Sequence, residues 1–169
     1  MIYILLAQDK YWWFQEIANP LLYSLRDLQY PVELIIKSVE ELEKQFNDDD
    51  LYILLTAEIF SQFPVHYIIY QFEQLPCKIG TVPTALNDFF SKCYKAREIW
   101  DYSFNNLACY PVEIKNKVKH IPFGYHSTMS TPSPLKYEKQ YSVIWYGNIA
   151  LRRKIAIPIL QEKLGSQLT

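Results

Sequence analysis

The sequence predicts a parallel α/β sheet flanked by helices, and three observations carry that reading. Short apolar runs alternate with longer amphipathic stretches, the rhythm of strand–helix–strand units. Half of the residues are apolar, enough for a well-filled core and against a disordered chain. Glycine is scarce, at 4 residues, so a small sandwich built on many glycine turns is disfavoured. The expectation is a Rossmann-like sheet over residues 1–124 and a connecting segment over 125–139. The first strand and helix of an incomplete second domain follow over 140–169.

Each element has its own justification. Ile2 to Leu6 is an apolar run and the first strand. From Phe14 the apolar positions Ile17, Ala18, Leu21, Leu22, Leu25 and Leu28 recur at helical spacing, one buried face of an amphipathic helix. Pro20 falls within it, so the helix kinks there or starts near Asn19. Val32 to Ile36 is a strand, Glu40 to Phe46 a short charged helix, and Leu51 to Leu55 a third strand. His66 to Gln71 follows as a strand of β-branched and aromatic residues. Thr84 to Tyr94 carries the helical stripe Leu86, Phe89, Phe90, Cys93. Glu98 to Tyr102 is a strand, Phe104 to Tyr110 a helix of one or two turns, and Val118 to Pro122 a sixth strand. Gly124 to Glu138 then loses all periodicity. Tyr141 to Tyr146 resumes as a strand, turned by Gly147 and Asn148 into a helix over Leu151 to Leu164.

Charge and composition exclude several classes. Formal net charge is −1, so the basic footprint of a nucleic-acid binder is absent. The apolar run at Ile2 to Ala7 has no basic leader and meets Gln8 and Asp9 at once. It reads as a strand, with no integral membrane segment expected. The three cysteines, Cys77, Cys93 and Cys109, form no CxxC pair and have no His cluster beside them. They read as buried free thiols of a cytoplasmic protein, with no metal site. No GxGxxG, GxxxxGK[ST], GxSxG or HExxH occurs, which disfavours a dehydrogenase, a nucleoside-triphosphatase and a serine hydrolase.

In an open parallel sheet, ligands collect outside the carboxyl ends of the strands, so polar residues there are the candidates. The fourth strand ends in Gln71, Phe72, Glu73 and Gln74, and the fifth in Asp101, Tyr102, Ser103 and Asn105. The sixth runs into Gly124, Tyr125 and His126. The seventh runs into Gly147, Asn148, Arg152, Arg153 and Lys154. Bland readings stand beside these. Glu73 can simply solvate a strand end, and Ser103 can cap the helix at Phe104. His66 and His120 read as structural. Three cations in a first helical turn oppose the helix dipole, an arrangement that a bound anion would offset.

The ordered set Ile69-Tyr70-Gln71-Phe72-Glu73-Gln74-Leu75, Ala96 to Asn105, Ile121-Pro122-Phe123-Gly124-Tyr125-His126 and Val143 to Asn148 resembles the two-domain GT-B glycosyltransferases. The resemblance covers the chain from about residue 50 onward. It implies transfer of a sugar from a nucleotide-sugar donor to an unidentified acceptor hydroxyl, without a cofactor. Glu73, Asp101 and His126 would then be catalytic, with Gln71, Ser103, Asn105 and Tyr125 on the substrate. Gly147, Asn148, Arg152 and Lys154 would approach the donor phosphates. The alternatives are a non-catalytic α/β interaction or ligand-binding module and a flavodoxin-like domain for a phosphorylated ligand.

Overall fold

A computed structural model of the chain describes residues 1–75, 84–124, 126–129, 158–159 and 162–163. The chain divides into two compact units, Met1–Ser130 and Thr131–Thr169. In the second unit, residues 158–159 and 162–163 are helical and exposed. The strand expected at Tyr141 to Tyr146 and most of the helix expected at Leu151 to Leu164 lie outside the described residues.

The first unit is α/β, with a six-stranded all-parallel sheet in the order β2-β1-β3-β4-β5-β6. Its strands are β1 (Ile2–Ala7), β2 (Val32–Lys37), β3 (Leu51–Leu54), β4 (Tyr67–Gln71), β5 (Glu98–Asp101) and β6 (Val118–His120). Three helices accompany them: α1 (Tyr11–Asp27), α2 (Val39–Glu43) and α3 (Thr84–Lys95). The chain steps from β1 outward to β2 and then back past β1 to β3, so the winding reverses between β1 and β3. This is a doubly wound, Rossmann-like sheet in the 2-1-3-4-5 order, carried one strand further.

Parallel strands bury both faces, and the two faces here are separate cores. On one side Ile4, Leu6, Ile53, Ile68 and Tyr70 pack with Ala18 and Leu22 of α1. On the other, Leu5, Tyr52, Leu54, Ile69 and Ile99 pack with Leu42 of α2 and with Leu86, Phe89, Phe90 and Cys93 of α3. Strand alternation sends neighbouring residues to opposite cores.

The helix ends follow local chemistry. Pro20 sits inside an uninterrupted α1, which begins nine residues before it at Tyr11 rather than near Asn19. Its C-terminus closes with Tyr30 N–H on the Leu25 carbonyl (3.0 Å) and Gln29 at φ 62°, a Schellman-type stop on a non-glycine residue. α2 is capped by a reciprocal box. Glu41 N–H donates to Ser38 Oγ (3.4 Å) and Ser38 N–H to Glu41 Oε2 (3.2 Å). The helix expected at Phe104 to Tyr110 is a 3-10 helix over Phe104–Cys109.

Two expectations about the cysteines part here. Cys93 is a buried thiol, and burial first, then the Asp101 charge, push its pKa up. Cys109 is disulfide-bonded, to a partner outside the described residues, which corrects its reading as a free thiol. Among the described residues no helix is long and apolar enough to cross a membrane.

Candidate functional site

The carboxyl ends of β3 and β4 meet at a cleft of about 160 Å³. Its polar lining is Glu58, Gln71, Glu73 and Gln74, and its apolar lining includes Phe14, Phe72, Leu86 and Phe89. Glu58 comes from the 3-10 turn Ala57–Ile59 that follows β3. Burial first, and then the charge of Glu73, raise its pKa, while Lys10 and Lys92 pull it down. Glu58 and Glu73 therefore act on one another across one small space.

Beside the carboxylates stands a wall of rings. Phe72 lies 6.0 Å from Phe14 and stacks on Phe123 at 5.1 Å with planes 10° apart. Phe123 is also 5.6 Å from Tyr102. The strand ends of β4, β5 and β6 are thus joined by aromatic contact, and the Tyr70 hydroxyl adds a bond to the Ile121 carbonyl (3.0 Å). Gln74 Nε2 donates to Tyr102 Oη (2.9 Å) and Ser103 Oγ (3.0 Å). A Cβ at Gly124 would meet nothing within 4 Å, so that glycine is not demanded by space.

Beneath this surface runs a buried polar network. Asp101 is 0% exposed. Its carboxylate accepts from Ser103 N–H (2.8 Å), Asn106 Nδ2 (3.1 and 3.2 Å) and Tyr110 Oη (2.7 Å). Asn106 in turn donates to the Glu73 carbonyl (2.8 Å) and accepts from Leu75 N–H (3.0 Å). The network fastens the loop bearing Glu73 to the end of β5. Buried polar groups satisfied in this way specify a conformation.

These placements sort the residues expected from the sequence. Glu73 and Gln71 line the cleft, with Gln71 Nε2 also donating to the Glu73 carbonyl (3.1 Å). Asp101 is fully buried and its carboxylate is held by Ser103, Asn106 and Tyr110 donors, so it organises the cleft from below. Ser103 makes no side-chain cap; its hydroxyl holds Gln74. Asn105 is exposed, whereas its neighbour Asn106 is the buried anchor. His126 Nε2 lies 3.1 Å from Asp27 Oδ2 and its ring stacks on Tyr23 at 5.7 Å. Those partners belong to the C-terminal half of α1, which runs antiparallel to the strands, so His126 lies toward the opposite end of the strands from Glu73. Tyr125, Gly147, Asn148, Arg152 and Lys154 lie outside the described residues.

Sequence reasoning missed Glu58, Asn106, Tyr110 and Thr56. Thr56 follows the end of β3, is 0% exposed, and its Oγ1 has no partner among the described residues. None of these four belongs to a motif. Only the strand order brings them to one end of the sheet.

The carboxyl end of β1 is not a phosphate cradle. The open cleft there is lined by Gln8, Asp9, Ser38, Val39 and Glu40, with no glycine and two carboxylates that repel an anion. No group of three or more His, Cys, Asp or Glu placed to hold a metal occurs among the described residues. No protein-family model, curated protein or solved structure matches the chain.

Proposed function

We propose that the chain is a glycosyltransferase, or part of one, in which the Met1–Ser130 unit holds the acceptor for a sugar arriving on a nucleotide-sugar donor. The observation that supports this best is the paired carboxylates of Glu58 and Glu73 in a cleft edged by amides and an aromatic wall. A polyhydroxylated acceptor needs strong hydrogen-bond acceptors for its O–H groups, amides for its oxygens and rings against its C–H faces. Glu58 is exposed at the cleft mouth, and partial desolvation and then the Glu73 charge raise its carboxyl above its ordinary value, which suits a general base. It takes the acceptor hydroxyl proton as that oxygen bonds to the anomeric carbon and the nucleoside diphosphate departs. The donor half of this reading rests on sequence alone, at Gly147, Asn148, Arg152 and Lys154. A cytoplasmic setting stays within the proposal, and the disulfide at Cys109 is the observation that weighs against it.

One finding favours a non-catalytic binding module instead: of Glu73, Asp101 and His126, only Glu73 faces the cleft. A single set of measurements separates the two. Saturation-transfer NMR with simple saccharides reads binding, and nucleotide-sugar turnover reads transfer. The enzyme reading expects both, with Glu58→Gln and Glu73→Gln each lowering kcat by roughly 10²–10⁴-fold. Turnover establishes the enzyme, binding without turnover leaves this unit an acceptor-binding module on its own, and absence of saccharide binding rejects the acceptor site.

A further inference from the structure

The two edges of the sheet are built differently. β6 is three residues long and carries Lys119 and His120, both exposed, a short and guarded edge. β2 is six residues long and holds Leu34, Ile35 and Ile36 in succession, each only partly buried. Among the described residues β2 pairs with β1 alone.

The direction of its free groups can be read from one bond. Ile2 N–H donates to the Pro31 carbonyl at 3.0 Å, so odd-numbered residues of β2 turn their backbone groups toward β1. Val32, Leu34 and Ile36 therefore turn theirs outward. Along this edge, on the face where Tyr3, Ile35 and Tyr52 are packed, opens a cleft of about 580 Å³ bordered by Glu33 and Lys37.

We propose that β2 is a self-pairing edge, through which two copies of this chain join their sheets in antiparallel register about a two-fold axis at Ile35. In that register Leu34 faces Ile36 and the pair exchanges both of its N–H···O bonds, using the outward-facing groups. Ile35 faces its own copy. Glu33 faces Lys37 on each side of the axis, so the charges match twice over. The strand Glu33-Leu34-Ile35-Ile36-Lys37 is complementary to itself only when read in the reverse direction, as an isologous contact requires. Centring one residue earlier, at Leu34, would set Lys37 against Pro31 and lose the match. Lys37 also feels Glu41, but that carboxylate is held by the Ser38 cap, which leaves the Lys37 ammonium for the partner.

The test is the oligomeric state of the full chain by sedimentation equilibrium at roughly 1–100 μM, with circular dichroism confirming each fold. Wild type is expected to reach twice the 20.1 kDa chain mass. Glu33→Lys alone sets two lysines together in each cross-strand pair, and Lys37→Glu alone sets two glutamates together. Each single change is expected to weaken the dimer by roughly tenfold or more. The double variant restores the match in reverse and is expected to recover wild-type association. Mixing the two single variants is expected to give a mixed dimer, since one offers only lysines and the other only glutamates at these positions. A wild type that stays monomeric throughout, or a dimer indifferent to these reversals, overturns the proposal.

Discussion

The Asp101 carboxylate accepts three kinds of donor, a backbone N–H, an amide and the Tyr110 phenol, and each removes a degree of freedom from the cleft above it. Tyr110 is locked in this arrangement. Burial, then the bond to Asp101 and its charge, raise its pKa so that it stays a donor. Thr56 is the opposite case at the same end of the sheet, because its buried hydroxyl has no partner among the described residues. Burying an unsatisfied hydroxyl costs about 1–3 kcal/mol. Thr56→Val keeps the shape and deletes the polar atom, so it is expected to stabilise the fold by about 1 kcal/mol. Urea denaturation at neutral pH reads this directly, and a loss of stability would mean that the hydroxyl has a partner in solution.

At the scale of elements, α1 ends on a strained residue. Gln29 holds φ 62° to complete the closing turn, and a left-handed conformation costs a side chain-bearing residue about 1 kcal/mol relative to glycine. Gln29→Gly is expected to raise stability by about 0.5–1 kcal/mol, seen as a higher urea midpoint with an unchanged slope. Gln29 also shows what local pattern hides, since nothing about glutamine signals a stop. The strands β1 to β4 were legible because each holds an apolar run bounded by polar or turn-forming residues, whereas β5 and β6 carry polar residues within them. The stripe Leu86, Phe89, Phe90, Cys93 became the buried face of α3. Pro20 predicts a kink or a start near Asn19 because proline removes one helical bond, yet α1 runs through it and Ala18, Leu21, Leu22 and Leu25 pack on both sides of it. Packing on that face outweighs the lost bond. Within the candidate site, Glu73 was legible because it ends a strand. Glu58 was not, since it lies in a turn that only the β3–β4 adjacency brings beside Glu73, and Asp101 carried a chemically apt residue type but is fully buried, which local pattern does not show.

For the whole molecule, two carboxylates give the stability profile opposite slopes. Burial works to raise Glu43, but it is outweighed by donation from Gln62 N–H (3.0 Å), Ser61 N–H (2.7 Å) and the Ser61 hydroxyl, leaving its pKa below the ordinary 4.5. A carboxylate depressed by folding contributes stability that is present above the unfolded value and lost as pH falls through the folded one. Its limb therefore lies below about pH 4.5. Glu58 has the reverse sign, because burial and Glu73 lift it above 4.5. The folded chain then holds that proton more tightly than the unfolded chain, and stability rises as pH drops from neutral toward 4.5. Glu58→Gln is expected to stabilise the protein at pH 7 and flatten the upper limb, leaving the acid limb intact. Glu43→Gln is expected to do the converse, destabilising at pH 7 and flattening the acid limb as the clasp between α2 and the β3–β4 connection weakens. Urea midpoints across pH 3–8 for the three proteins check both signs, and a Glu58→Gln protein less stable than wild type at pH 7 would remove the raised-carboxylate assignment on which the proposed chemistry depends.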